Sequence, residues 1–181
     1  MVRPAERGYV LIVLMMAVLV LAVGLTVAVP VLETELRREK EEELIFRGLQ
    51  YVEAIRLYQA KYPGKFPTYL QELSEEEVLR KPYADPMSPS GEWNLVLEPS
   101  GRAGARAAGR RQVLVAPASA LDSVPNPAIL GVVSSSKKAS IRLYENQDSY
   151  DKWLFFYGSD PKNPPKIVYL GQEGKDAGEG E

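Results

Sequence analysis

Few side chains in this chain could carry out acid–base, nucleophilic or metal chemistry. Histidine and cysteine are both absent from its 181 residues, which removes the Ser-His-Asp triad, Cys-His nucleophiles and nearly every zinc site. Carboxylate, lysine, tyrosine and Ser-Lys chemistry remain. Because disulfides are also excluded, the compartment cannot be inferred from redox chemistry. We therefore expect a protein that is not an enzyme and has no catalytic residues.

The carboxylates show no arrangement that would support acid–base catalysis. Asp85 stands directly before Pro86, and nothing in the sequence places a second carboxylate beside it. Aspartate before proline favours a turn. The net charge of −2 provides no general attraction to nucleic acid, so we expect no nucleic-acid partner.

An apolar run over residues 9–32 is the dominant feature of the sequence. Its twenty-four residues contain no polar group except Thr26 and the Tyr9 hydroxyl. As a helix the run would reach ~36 Å, enough for the ~30 Å hydrocarbon core of a bilayer. A leader of eight residues precedes it and carries Arg3 and Arg7, which would hold the N-terminus in the cytoplasm. The run therefore predicts the transmembrane half of an N-terminal helix.

Two other interpretations of this run stay open. A cleaved secretory signal would use the small residues around Thr26-Val27-Ala28, although its apolar core is normally ~7–15 residues. A plain signal anchor would keep the run without further processing.

Residues 33–62 predict an amphipathic continuation of the same helix. Strong helix formers fill the segment, and Pro63-Gly64 ends it. Phe46 and Leu57, about three turns apart, fall on the opposite side from the apolar face and are candidates for contact with a neighbouring copy; simple exposure is the alternative. The residues placed on the apolar face are Leu44, Ile45, Leu49, Tyr51, Val52, Ile55, Tyr58 and Tyr62.

The remainder, residues 63–171, predicts a β-rich head. Short apolar segments separated by Gly, Pro, Ser, Asn and Asp are typical of an antiparallel meander, and the amphipathic helix would cover one face of the sheet. Residues 101–111 predict a basic loop and residues 172–181 a disordered acidic tail. The six strand candidates are Glu92–Glu98, Arg111–Ala116, Ile129–Ser134, Ser140–Glu145, Lys152–Tyr157 and Lys166–Leu170.

These features together resemble the type IV pilins and the pseudopilins of type II secretion. The leader ends in Gly8, Tyr9 opens the apolar helix, and Pro30 lies within it. The stretches YQAKYPGKFPTYLQEL and LRKPYADPMSPSGEW are similar to the helix end and following loop of major pseudopilins. GVVSSSKKASIRLYENQDSYDKWLFFYG is similar to the C-terminal sheet of a pseudopilin-like branch. The resemblance covers most of the chain.

The resemblance implies an α+β, pilin-like fold in which the long helix, transmembrane half first, packs on a small antiparallel sheet. It also implies a single-pass protein of the bacterial inner membrane with a periplasmic head, which is extracted into a periplasmic filament. The implied partners are the membrane, the prepilin peptidase, other pseudopilins and the inner-membrane platform of the secretion system. Gly24 would permit close helix packing, and Pro30 would kink the helix.

The implied function is that of a non-enzymatic subunit of a type II secretion pseudopilus that supports protein export. Where the family usually has glutamate at the fifth mature position, this chain has Val13, which favours a minor position in the helical hetero-oligomer. The alternatives are a minor type IV pilin and a monomeric single-pass periplasmic protein that binds a ligand or partner.

Calcium is the one cofactor that the resemblance raises. Major pseudopilins bind it through acidic loops late in the sheet, where this chain has Asp148, Asp151 and Asp160. Their spacing matches no known metal loop, and aspartate is common in turns. We expect no metal and no cofactor, with calcium as the alternative.

The resemblance predicts cleavage between Gly8 and Tyr9, followed by methylation of the new terminus, although Tyr9 replaces the usual phenylalanine. Intact-mass and N-terminal sequencing of the full chain expressed with prepilin peptidase should give a protein that starts at Tyr9. A Gly8→Ala variant should stay uncleaved. A start at Met1 in the presence of the peptidase, or a start at Val29, would contradict this prediction.

Overall fold

The computed structural model describes residues 5–99, 111–160 and 162–170, and the side chains of residues 5–8 and 25–32 lie outside the description. Arg3, nearly all of the predicted loop at 101–111 and the predicted tail at 172–181 also lie outside it. The chain divides into two compact units, Met1–Glu39 and Lys40–Glu181. Helix α1 runs from Ala5 to Lys61, so it ends just before Pro63-Gly64, as predicted.

The predicted transmembrane half of α1 is wrong. Within the described residues, no helix combines the length and the apolarity needed to cross a membrane. The single-pass inner-membrane localisation, with a cytoplasmic N-terminus and a periplasmic domain, is wrong for the same reason.

The second unit is α+β and contains a five-stranded sheet. Its strands lie in the order β6-β3-β1-β2-β7, and a separate pair consists of β4 and β5. A short helix, α2, covers Glu72–Glu75. The strand bounds are β1 Trp93–Leu97, β2 Gln112–Pro117, β3 Ile129–Ser134, β4 Ala139–Tyr144, β5 Gln147–Ser149, β6 Phe155–Phe156 and β7 Lys166–Tyr169.

The sheet is neither a meander nor fully antiparallel, which corrects two further expectations. β1 lies between β2 and β3, and both of these pairs are antiparallel. β7 returns beside β2 and runs parallel to it, with Val113 opposite Ile167. Six observed strands fall at the predicted segments, whereas β5 was not predicted, because its three residues are polar and show no apolar alternation.

A narrow stripe of α1 packs against one face of the sheet. Its members recur every three or four residues, as expected for one face of a helix. Leu49, predicted on this face, is 47% exposed, because the stripe is narrower than the broad face assumed. The buried stripe consists of Glu41, Leu44, Gly48, Tyr51, Ala54, Ile55 and Tyr58.

Close contact between α1 and the sheet depends on Gly48. A Cβ added to Gly48 would lie no more than 2.7 Å from three carbons of the Phe155 ring. The ring therefore occupies the space that a side chain would need. The Phe155 ring also meets Trp93 edge-on, with centroids 6.4 Å apart, so it has an aromatic neighbour on the sheet that limits its movement.

Replacing Gly48 with alanine should destabilise the fold. Overpacking typically costs ~1–3 kcal/mol, which exceeds the ~1 kcal/mol that alanine gains over glycine in helix propensity. Urea unfolding of the full chain would measure the difference. Gly24→Ala is the matched control, because a Cβ at Gly24 meets nothing within 4 Å. Equal stability of Gly48→Ala and wild type would contradict this account of the packing.

Candidate functional site

The outward side of α1 in the second unit carries an apolar surface. Phe46 is 57% exposed, and Leu49 and Leu57 are exposed as well; we call these three residues the outer helix face. The structure thus places Phe46 and Leu57 on the side opposite the buried stripe, as predicted. Their role as a contact to a neighbouring copy stays a prediction.

Ion pairs within the helix flank the outer helix face. The Arg47 guanidinium pairs with Glu43 at 2.5 Å and also donates to the Ala84 carbonyl. Arg56 pairs with Glu53 at 2.6 Å, and this hydrogen bond lowers the pKa of the Glu53 carboxyl. Exposed pairs of this type contribute little to stability. However, these ion pairs neutralise the charged side chains beside the outer helix face. Its apolar side chains are therefore the groups available for contact with a partner.

The first unit carries a second apolar surface, from Tyr9 to Val23. The large apolar side chains of this segment are all exposed, and Val13 is the least exposed of them at 46%. Around Gly24 there is open space, since an added Cβ would meet nothing within 4 Å. The helix backbone includes Arg7, Gly8 and Pro30, but their side chains lie outside the description. The predicted cleavage and kink therefore stay predictions.

The structure also reveals a functional group that the sequence analysis missed, the carboxylate of Glu41. This side chain is fully buried. It accepts hydrogen bonds from the backbone N–H of Ile141 at 2.6 Å and of Arg142 at 3.2 Å. The Tyr150 hydroxyl donates a third bond at 2.7 Å. Three donors satisfy a charge that would otherwise be costly to bury.

The backbone donors come from an irregular part of the β4–β5 hairpin. Ala139 pairs with Ser149 and Tyr144 with Gln147, so β4 advances five residues while β5 advances two. The four residues between these two pairs, Ser140–Leu143, form what we call the hairpin bulge. Because the ladder with β5 breaks over this stretch, the Glu41 carboxylate supplies acceptors for two of its backbone N–H groups.

A periodicity signal could have identified Glu41 as buried. It lies three residues before Leu44 and seven before Gly48, in phase with the stripe that continues through Tyr51 and Tyr58. The signal is difficult to recognise because Glu41 lies in a run of charged residues, and glutamate is rarely fully buried unless it is paired.

Asp85 and two of the three calcium candidates, Asp151 and Asp160, serve local structure in the described residues, while the third, Asp148, is exposed in β5. Asp85 is buried and accepts from the Ser134 hydroxyl at 2.7 Å and from the Met87 N–H at 2.8 Å, as an Asp-Pro turn would. Asp160 accepts from the Lys162 N–H, and Asp151 accepts from Ser149 and Tyr169.

Tyr169 contacts Asp151 as a neutral phenol that donates a hydrogen bond to the carboxylate. Burial, then the neighbouring charge of Asp151, raises the pKa of Tyr169 to about 12. No group of three or more acidic side chains gathers around a common point in residues 5–99, 111–160 and 162–170. Calcium binding stays untested.

Comparisons with known proteins give no relative for this chain. No family model matches it, and neither a curated protein nor a solved structure is similar to it. The resemblance to pseudopilins therefore rests on the sequence features alone.

Replacing Glu41 with glutamine should destabilise the hairpin and the second unit. The amide retains one acceptor oxygen and turns an NH2 group toward N–H donors, and an unsatisfied buried donor costs ~1–3 kcal/mol. Urea unfolding would measure the loss, and amide hydrogen exchange at Ile141 should become faster. Glu42→Gln is the control, because it removes only the exposed pair with Arg142. Equal losses for the two variants would show that the buried carboxylate has no special role.

Proposed function

We propose that this chain is a non-enzymatic structural subunit of a pseudopilin-like filament that supports protein export, and that it assembles through helix α1. The observation that carries the proposal is the exposed apolar surface from Tyr9 to Val23. Monomeric soluble proteins rarely expose such a continuous apolar surface, which usually marks an interaction site.

Neighbouring copies of the same segment would offer a suitable cover for this surface. Removing apolar area from water contributes roughly 25 cal/mol per Å², so association of these segments is favourable along their whole length. A contact between different surfaces of identical subunits generates an open helical filament when the rotation between subunits does not close into a ring. The outer helix face, Phe46, Leu49 and Leu57, would provide a separate contact in the second unit.

Two features of the described residues support a structural role over an enzymatic one. The buried carboxylates, Glu41 and Asp85, each receive several hydrogen bonds from their own chain. They are therefore engaged in the fold rather than directed into a cleft. The absence of histidine and cysteine from the sequence points the same way.

Val13 favours a minor position in the filament. Its side chain cannot form the charged contact that the family's usual glutamate is thought to make with the terminus of an adjacent subunit. In this proposal, assembly of this chain relies on apolar contacts alone near its N-terminus.

Assembly of the full chain tests the proposal. Sedimentation velocity and negative-stain microscopy should show elongated oligomers that grow with concentration. Phe46→Asp should lower the assembled fraction about tenfold, because a charge would be buried in an apolar contact. Tyr69→Asp is the control, since Tyr69 is also an exposed aromatic residue, at 48%, but lies outside helix α1.

Each outcome of this experiment decides one part of the proposal. A wild-type chain that remains monomeric at every concentration would refute the structural role. Assembly of Phe46→Asp at the wild-type level would keep the role but exclude the outer helix face from the contact.

A further inference from the structure

The hairpin bulge presents apolar side chains to solvent. Leu143 is 70% exposed, the highest value among the described large apolar residues of the second unit, and Ile141 is exposed beside it. A single exposed leucine would be unremarkable, but Leu143 belongs to a bulge whose backbone is held in place by several contacts.

Four contacts fix the bulge. Glu41 binds two of its backbone N–H groups, and the Arg142 guanidinium pairs with Glu42 at 2.6 Å. Within the bulge, the Ser140 hydroxyl donates to the Arg142 carbonyl at 2.6 Å. A surface held in one conformation before binding loses less conformational entropy when a partner docks. The bulge is therefore pre-organised for contact.

The charges around the bulge define the kind of partner. Ser134–Tyr144 contains three basic residues, Lys137, Lys138 and Arg142, and no acidic residue. Both lysines are exposed, and within the described part of their own chain neither pairs with a carboxylate. The bulge thus fits a partner with an apolar centre and an acidic surround.

Helix α1 itself contains such a segment in the first unit. Leu36 is 57% exposed, and Glu33 and Glu39 lie one turn before and after it on the same side of the helix. In the part that belongs to the first unit, Glu33–Glu39, there are three glutamates and two arginines, so its net charge is −1. Lys40, at i+4 from Leu36 and the first residue of the second unit, adds one basic residue on the same side of the helix.

We infer that the hairpin bulge of one copy docks on the Leu36 face of a second copy. Leu143 and Ile141 contact Leu36, and Lys137 and Lys138 pair with Glu33 and Glu39. The inference rests on the proposed function, because it names a contact through which assembled copies recognise each other. It assigns the head a part in assembly, in addition to the helix.

Cysteine cross-linking tests this contact directly, because the chain has no cysteine of its own. Full chains carrying either Leu36→Cys or Leu143→Cys are mixed and mildly oxidised. A disulfide between the two variants is expected. A mixture of Leu36→Cys with Tyr69→Cys provides the control, since Tyr69 is exposed and lies outside the bulge.

Charge reversal distinguishes a specific contact from a cross-link formed by random collision. Lys137→Glu with Lys138→Glu on the Leu143→Cys copy should reduce the cross-link about tenfold, because like charges would then face each other. Glu33→Lys with Glu39→Lys on the Leu36→Cys copy should restore it. All of these positions are exposed, and circular dichroism of each variant confirms that it folds.

The outcomes separate this inference from the proposed function. If the mixed copies assemble but give no cross-link above the control pair, the bulge contact is wrong and the structural role stands. If the cross-link forms but reversal and restoration have no effect, the charge pairing is wrong and with it the inference. If the copies do not assemble at all, both the contact and the proposed function are refuted.

Discussion

Helix α1 can lie against the sheet of the second unit only because Gly48 has no Cβ. The Phe155 ring fills that space, and it contacts the rings of Trp93 and Tyr144. These rings link β6 with β1 and β4, so the close approach at one glycine determines where several strands can lie. A larger residue at Gly48 would force the helix or the Phe155 ring to shift and would disturb the packing of the buried stripe against the sheet.

The same approach places Glu41 where the β4–β5 hairpin needs an acceptor. A fully buried carboxylate is favourable only when several donors surround it, and here two backbone N–H groups and the Tyr150 hydroxyl do so. The hydrogen bonds that offset the cost of burying the Glu41 charge also hold the β4–β5 hairpin, whose own ladder of hydrogen bonds is interrupted. As a consequence, the bulge presents Leu143 in a defined position.

Sequence patterns predicted the end of α1, six strand segments and the exposure of Phe46 and Leu57, because helix breakers and apolar periodicity are local signals. They could not predict the parallel return of β7 beside β2, which depends on long-range pairing. They also placed Leu49 on the buried apolar face and missed Glu41. A helical wheel shows which residues share a side of the helix, but it does not show how closely the sheet approaches each of them. The transmembrane prediction rested on the apolar run of residues 9–32 and is wrong, since no helix among the described residues is long and apolar enough to cross a membrane.

The central claim is that copies of this chain cover the apolar segment between Tyr9 and Val23. The most direct measurement is the labelling rate of a Leu19→Cys variant with a water-soluble maleimide, followed over increasing protein concentration and compared with that of Tyr69→Cys. The account predicts that labelling at position 19 slows as copies assemble, while labelling at position 69 stays constant. Equal, concentration-independent rates at both positions would contradict it.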